Sequence, residues 1–228
     1  MQRILIIGAT RGIGNALAQE FVTRGWHVTG TARKQAGTPL HAIQDEHPAA
    51  VDIVQVDINM PEQISALHDR LRDRRFDILL VNAGTSNANQ SETIAETTAE
   101  EFSRVMVTNA LSPMQAVEAL AELVTPEGTI SVMSSGQGSI TENTRGGREV
   151  YRGSKAALNQ YMRCYAIRTR GARPMLLIAP GWIQTELGGA EARYTLAESA
   201  PKLVDLLLAQ KGRPGLRFED RDGRAVAW

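Results

Sequence analysis

One cysteine, Cys164, is all the thiol the 228-residue chain has, so no disulfide can form within it, as suits a reducing compartment. Net charge is missing as well, with 25 basic and 25 acidic residues. No overall field therefore draws the chain to nucleic acid, an anionic membrane or an acidic partner, and any anion site must be local. Even the arginine-rich stretch from His68 to Asp77 interleaves aspartates, as a solvated helix end does. Long apolar runs are also absent. Arg3 followed by Ile4 to Ile7 begins like a secretory signal, but Thr10 and Arg11 interrupt it, and nothing elsewhere approaches the ~20 apolar residues of a membrane span. His27, His41, His47 and His68 have no spacing that would pair them as metal ligands. With no repeat and no linker, residues 1–228 read as one cytoplasmic domain without metal, nucleic-acid or membrane sites.

What is present is alternation. Short apolar runs at Ile4–Ile7, Trp26–Thr31, Val51–Val56, Phe76–Val81, Thr129–Met133 and Met175–Ala179 are separated by stretches of helical period. The runs are apolar at consecutive positions, the pattern of strands buried on both faces. Ile64, Leu67 and Leu71 line one helix; Phe102, Val105, Met106, Asn109, Ala110 and Val117 line another, capped by Thr98 and Glu101 and kinked or broken at Pro113. Further helices are predicted over 150–168 and 196–209. Right-handed crossovers then give a single-domain α/β fold, a Rossmann-type doubly wound parallel sheet with helices on both faces. The turn at Asp222-Gly223 is placed to close the sheet's far edge. Two polar, glycine-containing loops, 136–149 and 181–194, follow strands and so stand where open α/β sheets bind ligands.

The first strand runs into Gly8-Ala9-Thr10-Arg11-Gly12-Ile13-Gly14 and then a helix. Gly8 suits the tight turn, Gly12 admits a pyrophosphate, and Gly14 lets helix and strand approach, with the anion on free N–H groups at the positive helix end. The same glycines could serve the turn alone. At the end of the second strand, Gly30-Thr31-Ala32-Arg33 carries no acid of the kind that bonds a ribose 2′-hydroxyl. Arg33 and Arg11 could hold a 2′-phosphate instead, which favours NADP(H) over NAD, although each could equally be a solvated surface charge.

Tyr151 and Lys155, four apart on a predicted helix, share a face. An ammonium beside a phenol lowers its pKa from ~10, and each unit favours the phenolate by ~1.4 kcal/mol. Such pairs also arise by chance. Here they occur with Asn82-Ala83-Gly84, Asn109, Ser134-Ser135 and Pro180-Gly181-Trp182-Ile183-Gln184-Thr185, each at a strand end or the helix beside it. In combination these segments resemble the short-chain dehydrogenase/reductase family over the whole chain. Ile7 and Val81 depart from that family's commoner residues, and the interval from Ser135 to Tyr151 is a few residues long. This interval, the Ser139 to Gly147 loop, Gly188-Gly189 and the segment from Phe218 to Trp228 are similar to the C-factor branch of cell-signalling short-chain reductases.

The resemblance implies NADP(H)-dependent hydride transfer to or from a small carbonyl or alcohol. It gives Tyr151 the role of proton donor or acceptor, with Lys155 tuning it and holding the nicotinamide ribose. Ser135, chosen over Ser134 because Gly138 follows three residues on, would bond the substrate oxygen, and Asn109 a water leading to Lys155. Gly8, Thr10, Arg11, Gly12, Ile13 and Gly14 would meet phosphates, Asp57 and Ile58 the adenine, Asn82, Ala83 and Gly84 the adenosine ribose. Pro180, Gly181, Ile183 and Thr185 would meet the nicotinamide. Asp57 could instead cap a helix, Asn82 could only bond neighbouring strands, and Trp182 and Tyr194 could touch substrate or pack beneath their loop. The branch keeps a signalling protein with incidental turnover as the alternative, and the family's habits imply a homodimer or homotetramer.

Overall fold

The computed structural model describes residues 1–228. Its strands are β1 (Arg3–Ile7), β2 (His27–Ala32), β3 (Val51–Gln55), β4 (Phe76–Val81), β5 (Val124–Met133), β6 (Pro174–Ala179) and β7 (Gly215–Asp220). All pair in parallel, in the order β3-β2-β1-β4-β5-β6-β7. The helices are α1 (Gly12–Thr23), α2 (Pro39–Glu46), α3 (Pro61–Leu71), α4 (Ala99–Met106), α5 (Ser112–Leu120), α6 (Glu149–Arg168) and α7 (Leu196–Leu208). This is the doubly wound Rossmann-type sheet that the alternation of runs predicts.

The consecutive apolar residues of β1 explain the two-sided core. Ile4 and Ile6 join Leu17 and Phe21 of α1 and Leu203 of α7 on one face, while Leu5 and Ile7 join Leu67 of α3, Val117 of α5 and Leu158 of α6 on the other. Burying each such side chain contributes about 1.5–3 kcal/mol. The strand order reverses between β1 and β4, which opens a crevice at their carboxyl ends.

β7 is not among the six apolar runs of the sequence, and three further local features differ from the sequence reading. β5 starts at Val124, five residues before the apolar run, and its pairing with β4 shifts register between Phe76 and Ile78. A Cβ on Gly128 would lie 2.6 Å from Val124 Cγ1 and 2.9 Å from Asp77 O, so Pro126-Glu127-Gly128 hides an irregular strand within a polar stretch. The short α2, which buries only Leu40 and Ile43, has too little apolar period to be read in advance. The long helix expected across 98–120 is split by a π-helical turn, Val107–Leu111. The ring of Pro113 would meet the carbonyl of Asn109 in a regular helix, and the wider turn relieves that clash. Val105, Asn109, Ala110 and Val117 are buried as expected, but Phe102 faces outward, 42 % exposed. At the far edge β7 is followed by the Asp222-Gly223 turn and an antiparallel bridge between Glu219 and Ala225.

Candidate active site

Both ends of the site lie at the carboxyl ends of the strands. In the turn after β1, Gly8 has φ 91°, and a Cβ there would come within 2.9 Å of Ala83 backbone. A Cβ on Gly14 would lie 2.1 Å from the Gly8 carbonyl oxygen, so only glycine lets α1 pack this close to the strand. The Gly8 and Ala9 amides are tied to Thr31 Oγ1 and Thr31 O at 2.9 and 3.1 Å. α1 begins without a side-chain cap, because Arg11 at its N-cap has donors only and no oxygen to accept, which leaves first-turn N–H groups for an anion. Thr10, Gly12 and Ile13 are half-buried in this turn, and Asn15 Nδ2, at its end, is buried with no partner. These orphaned donors around a cradle that a Cβ would fill fit a dinucleotide pyrophosphate.

The end of β2 carries no carboxylate. Arg33 is exposed, and only its carbonyl is engaged, by Gln55 Nε2 at 3.1 Å. Arg11, in contrast, is ion-paired with Glu186 in the loop after β6. Farther along, Asp57 Oδ1 accepts the Asn59 amide at 3.0 Å and Ile58 is buried in the core, while Asn82 Nδ2 donates to Gly8 O at 2.8 Å. The Asn82 side chain thus bridges the strand ends, its plainer reading, whereas Asp57 holds a local turn and caps no helix, since the N-cap of α3 is Met60.

α6 presents Tyr151 and Lys155 one turn apart, 7 % and 4 % exposed. Lys155 Nζ donates to Met133 O at the end of β5, at 2.9 Å. Two residues on, Ser135 Oγ accepts the Gln137 amide at 3.1 Å and hydrogen-bonds the Tyr151 phenol. Ser134 points elsewhere, its hydroxyl donating to buried Asn159 Oδ1 at 2.6 Å. Gly138 allows the loop to press on α6, since a Cβ there would lie 2.9 Å from Lys155 backbone. Asn109 sits in the π-helical turn with its carboxamide fully engaged: Oδ1 accepts Thr85 N at 2.8 Å, and Nδ2 donates to Thr85 O and Ser154 Oγ, both at 2.9 Å. Ser154 Oγ in turn donates to Tyr151 O at 2.7 Å. Gly84 completes the group, its missing Cβ pointing to within 3.4 Å of Asn109 Oδ1 and 3.5 Å of Lys155 Nζ.

The electrostatics differ from the simple Tyr–Lys pair. Burial pushes the Tyr151 phenol above its ordinary value, while the hydrogen bond from Ser135 and the charge of Arg148 pull it back. Lys155 takes no part in that pull. Its Nζ turns to the Met133 carbonyl, 5.9 Å from the ring centroid, and burial lowers its own pKa to about 8. Arg148, whose Cζ stands 4.7 Å over the Tyr151 ring, was not anticipated as a site residue. The Gly146-Gly147 pair before the helix is the sequence signal that could have found it.

The loop after β6 closes the other wall. Pro180 is buried, and Gly181, at φ 86°, keeps clear of the Tyr194 ring, 3.3 Å from where its Cβ would be. Ile183 is buried and bridges to Tyr194, while Thr185 reaches the glycine turn, its Cγ2 3.5 Å from a Cβ placed on Gly12. Tyr194 packs beneath Arg221, whose Cζ is 3.3 Å from the ring centroid. Trp182 stays 52 % exposed with its Nε1 donating to Gly188 O.

No cluster of three or more potential metal ligands occurs in the chain, and no helix is long and apolar enough to cross a membrane. A depression of about 330 Å³ lies at the opposite end of the sheet, among Gln2, Trp26, Asp77 and Lys211. It contains none of the strand-end groups described above, so chemistry, not cavity size, locates the site.

A family model described as enoyl-(acyl carrier protein) reductase matches residues 8–202. A short-chain dehydrogenase/reductase from Burkholderia multivorans, solved with bound NADP, is 54% identical over 100% of this chain and 99% of its own, with a TM-score of 0.98. A carbonyl reductase from Pseudomonas aeruginosa PAO1, in complex with NADP, is 33% identical over 100% of both chains, with a TM-score of 0.93. The C-signal protein of Myxococcus xanthus is 30% identical over 67% of this chain and 92% of its own. By the matched family model, the shared sheet and the strand-end residues, the chain belongs to the short-chain dehydrogenase/reductase family.

Proposed function

We propose that this protein is an NADP(H)-dependent oxidoreductase that interconverts a small carbonyl compound and its alcohol, with Tyr151 as general acid and base. The observation that carries the reading is the convergence of the Tyr151 phenol, the Ser135 hydroxyl and the Lys155 ammonium at the ends of β5 and α6. NADP(H) would lie from the glycine turn to Thr185, with Arg33 at its 2′-phosphate, and it supplies or accepts the hydride. Solved relatives with NADP bound, one of them a carbonyl reductase, support that cofactor.

For reduction, Ser135 holds the substrate carbonyl oxygen by a hydrogen bond and Tyr151 donates its proton to the same oxygen as the carbon is reduced. The phenol carries its proton at neutral pH, as this direction requires. Arg148, over the ring, is the cation that stabilises the phenolate as it forms, and Lys155, buried and charged below about pH 8, is positioned for the nicotinamide ribose. Asn109 holds the Thr85 backbone and Ser154, and through Ser154 the first turn of α6. In the oxidative direction the same proton returns to Tyr151.

Phe102 on α4, Leu111 beside it, and Tyr161 and Ile167 on α6 are large, apolar and 42–71 % exposed. Such a surface supports assembly into a homodimer or homotetramer, and the single exposed cysteine accords with a cytoplasmic location.

The test is nicotinamide absorbance over a panel of aldehydes and ketones. Tyr151→Phe should lose roughly 10²- to 10⁴-fold in kcat while keeping its affinity for NADPH. Equal rates in the two proteins on every active substrate would overturn the assignment. Titration should give tighter binding of NADPH than NADH, a preference that Arg33→Ala reduces by about tenfold.

A further inference from the structure

The turn before α6 is built in an unusual way. Gly146, Gly147 and Arg148 have consecutive left-handed φ values of 64°, 67° and 51°. Glycine takes that conformation freely, but an arginine does not, and such strain persists where surrounding structure imposes it. Arg152 imposes it here, its Nε bonding the carbonyls of Gly146 and Gly147 at 3.1 and 2.8 Å. The consequence is that Arg148 occupies the N-cap of a 20-residue helix with no capping hydrogen bond. A cation at that end faces the positive pole of the helix.

Arg148 is also short of partners. One Nη donates to Ser86 Oγ at 3.2 Å and the guanidinium lies over the Tyr151 ring, but Nε is buried with nothing to bond. It is in no ion pair. Carboxylates in the adjoining segments are taken: Glu149 by the Ile94 amide, Glu92 by Asn87, Glu101 by Arg104 and the Ala88 amide. The remaining close charge, Arg152, is of the same sign. A half-buried cation with a free donor and no counter-ion, beside the group that would protonate the substrate, wants an anion from the ligand.

We infer that Arg148 forms an anion subsite of the substrate pocket, and that the preferred substrates are carbonyl compounds carrying a carboxylate, namely oxo acids and the corresponding hydroxy acids. Nε and the second hydrogen of the Nη that bonds Ser86 form the fork that a carboxylate matches in a bidentate way. With Cζ 4.7 Å from the Tyr151 ring centroid, the carboxylate and the carbonyl oxygen held by Tyr151 belong to one small molecule. This inference rests on the reductase reading above.

The experiment compares an α-oxo acid and a γ-oxo acid with the methyl ester of each, and includes a neutral ketone. Wild type should reduce the acids with kcat/KM roughly 10- to 100-fold above the esters. Arg148→Met should abolish that difference through KM of the acids, and Arg148→Lys should restore part of it. Arg148→Gly, which fits the left-handed backbone, should behave as Arg148→Met and guards against a folding defect. In the presence of NADP⁺ the acids should raise Tm of wild type and not of Arg148→Gly. Equal treatment of acids and esters by wild type, or an acid preference that survives in both variants, overturns the subsite and leaves the reductase standing. Weakened NADPH binding in both variants would overturn it too, by giving the guanidinium to the cofactor. If wild type reduces neither acids, esters nor the neutral ketone, it is the reductase reading that falls, and the subsite with it.

Discussion

Arg11, in the glycine turn after β1, is ion-paired with Glu186, in the loop after β6, across the mouth of the cofactor crevice. Both side chains are exposed, 60 % and 74 %, so the pair adds little to stability. Its effect falls on the ligand. A bound dinucleotide brings negative charge to this turn, where Glu186 neutralises Arg11 and repels a phosphate.

Glu186→Gln should therefore tighten NADPH binding by a few fold at low ionic strength, and the gain should fade as salt screens it. Fluorescence titration at two salt concentrations reads the effect. Weaker binding in the variant would mean that the ion pair closes the crevice over the cofactor and holds it in.

A second expectation follows from Lys155, which burial holds at about pKa 8. The unfolded chain keeps this ammonium protonated to a higher pH, so between about 8 and the ordinary lysine value it binds more protons than the folded one. Stability should consequently rise with pH in that window as the buried charge is released. Activity should move in the opposite direction. Reduction depends on the ammonium to hold the nicotinamide ribose in place, so kcat should fall as pH rises through about 8, and Lys155→Arg, which cannot lose its proton, should flatten that fall at a lower absolute rate. A kcat profile of wild type that stays level through that range would remove the role given to this charge.

Two neighbouring glycines separate structural need from composition. Gly136 has open space where a Cβ would be, whereas Gly138 would put one 2.9 Å from Lys155 backbone and 3.0 Å from Asn159 Nδ2. Gly138→Ala should cost about 1–3 kcal/mol in urea unfolding, with Gly136→Ala close to neutral. Comparable losses at both positions would show that the loop does not bear on α6.

Six of the seven strands, most of the helices and the glycine turn were legible from local information, and the residues from Asn82 to Thr185 were picked out by the family resemblance. Consecutive apolar residues require two covered faces, a glycine ahead of a helix admits an anion, and a spacing of four puts Tyr151 and Lys155 on one face. These are properties of a few residues at a time. The α2 helix and the early start of β5 escaped because their apolar content is too small to show a period. The π-helical turn escaped because Pro113 signals a disturbance without saying what form it takes.

Partnership was beyond the sequence, since hydrogen bonds and charges act through space. Which serine faces the phenol was decided by Asn159 capturing Ser134, and which cation acts on it by Lys155 turning to Met133 while Arg148 is folded over the ring. In the same way Glu186, 175 positions from Arg11 along the chain, was invisible as its partner until β1 and β6 were set in one sheet. The chain's local chemistry determined the kind of fold and the groups on offer; long-range packing determined how those groups are paired, and hence their charge states.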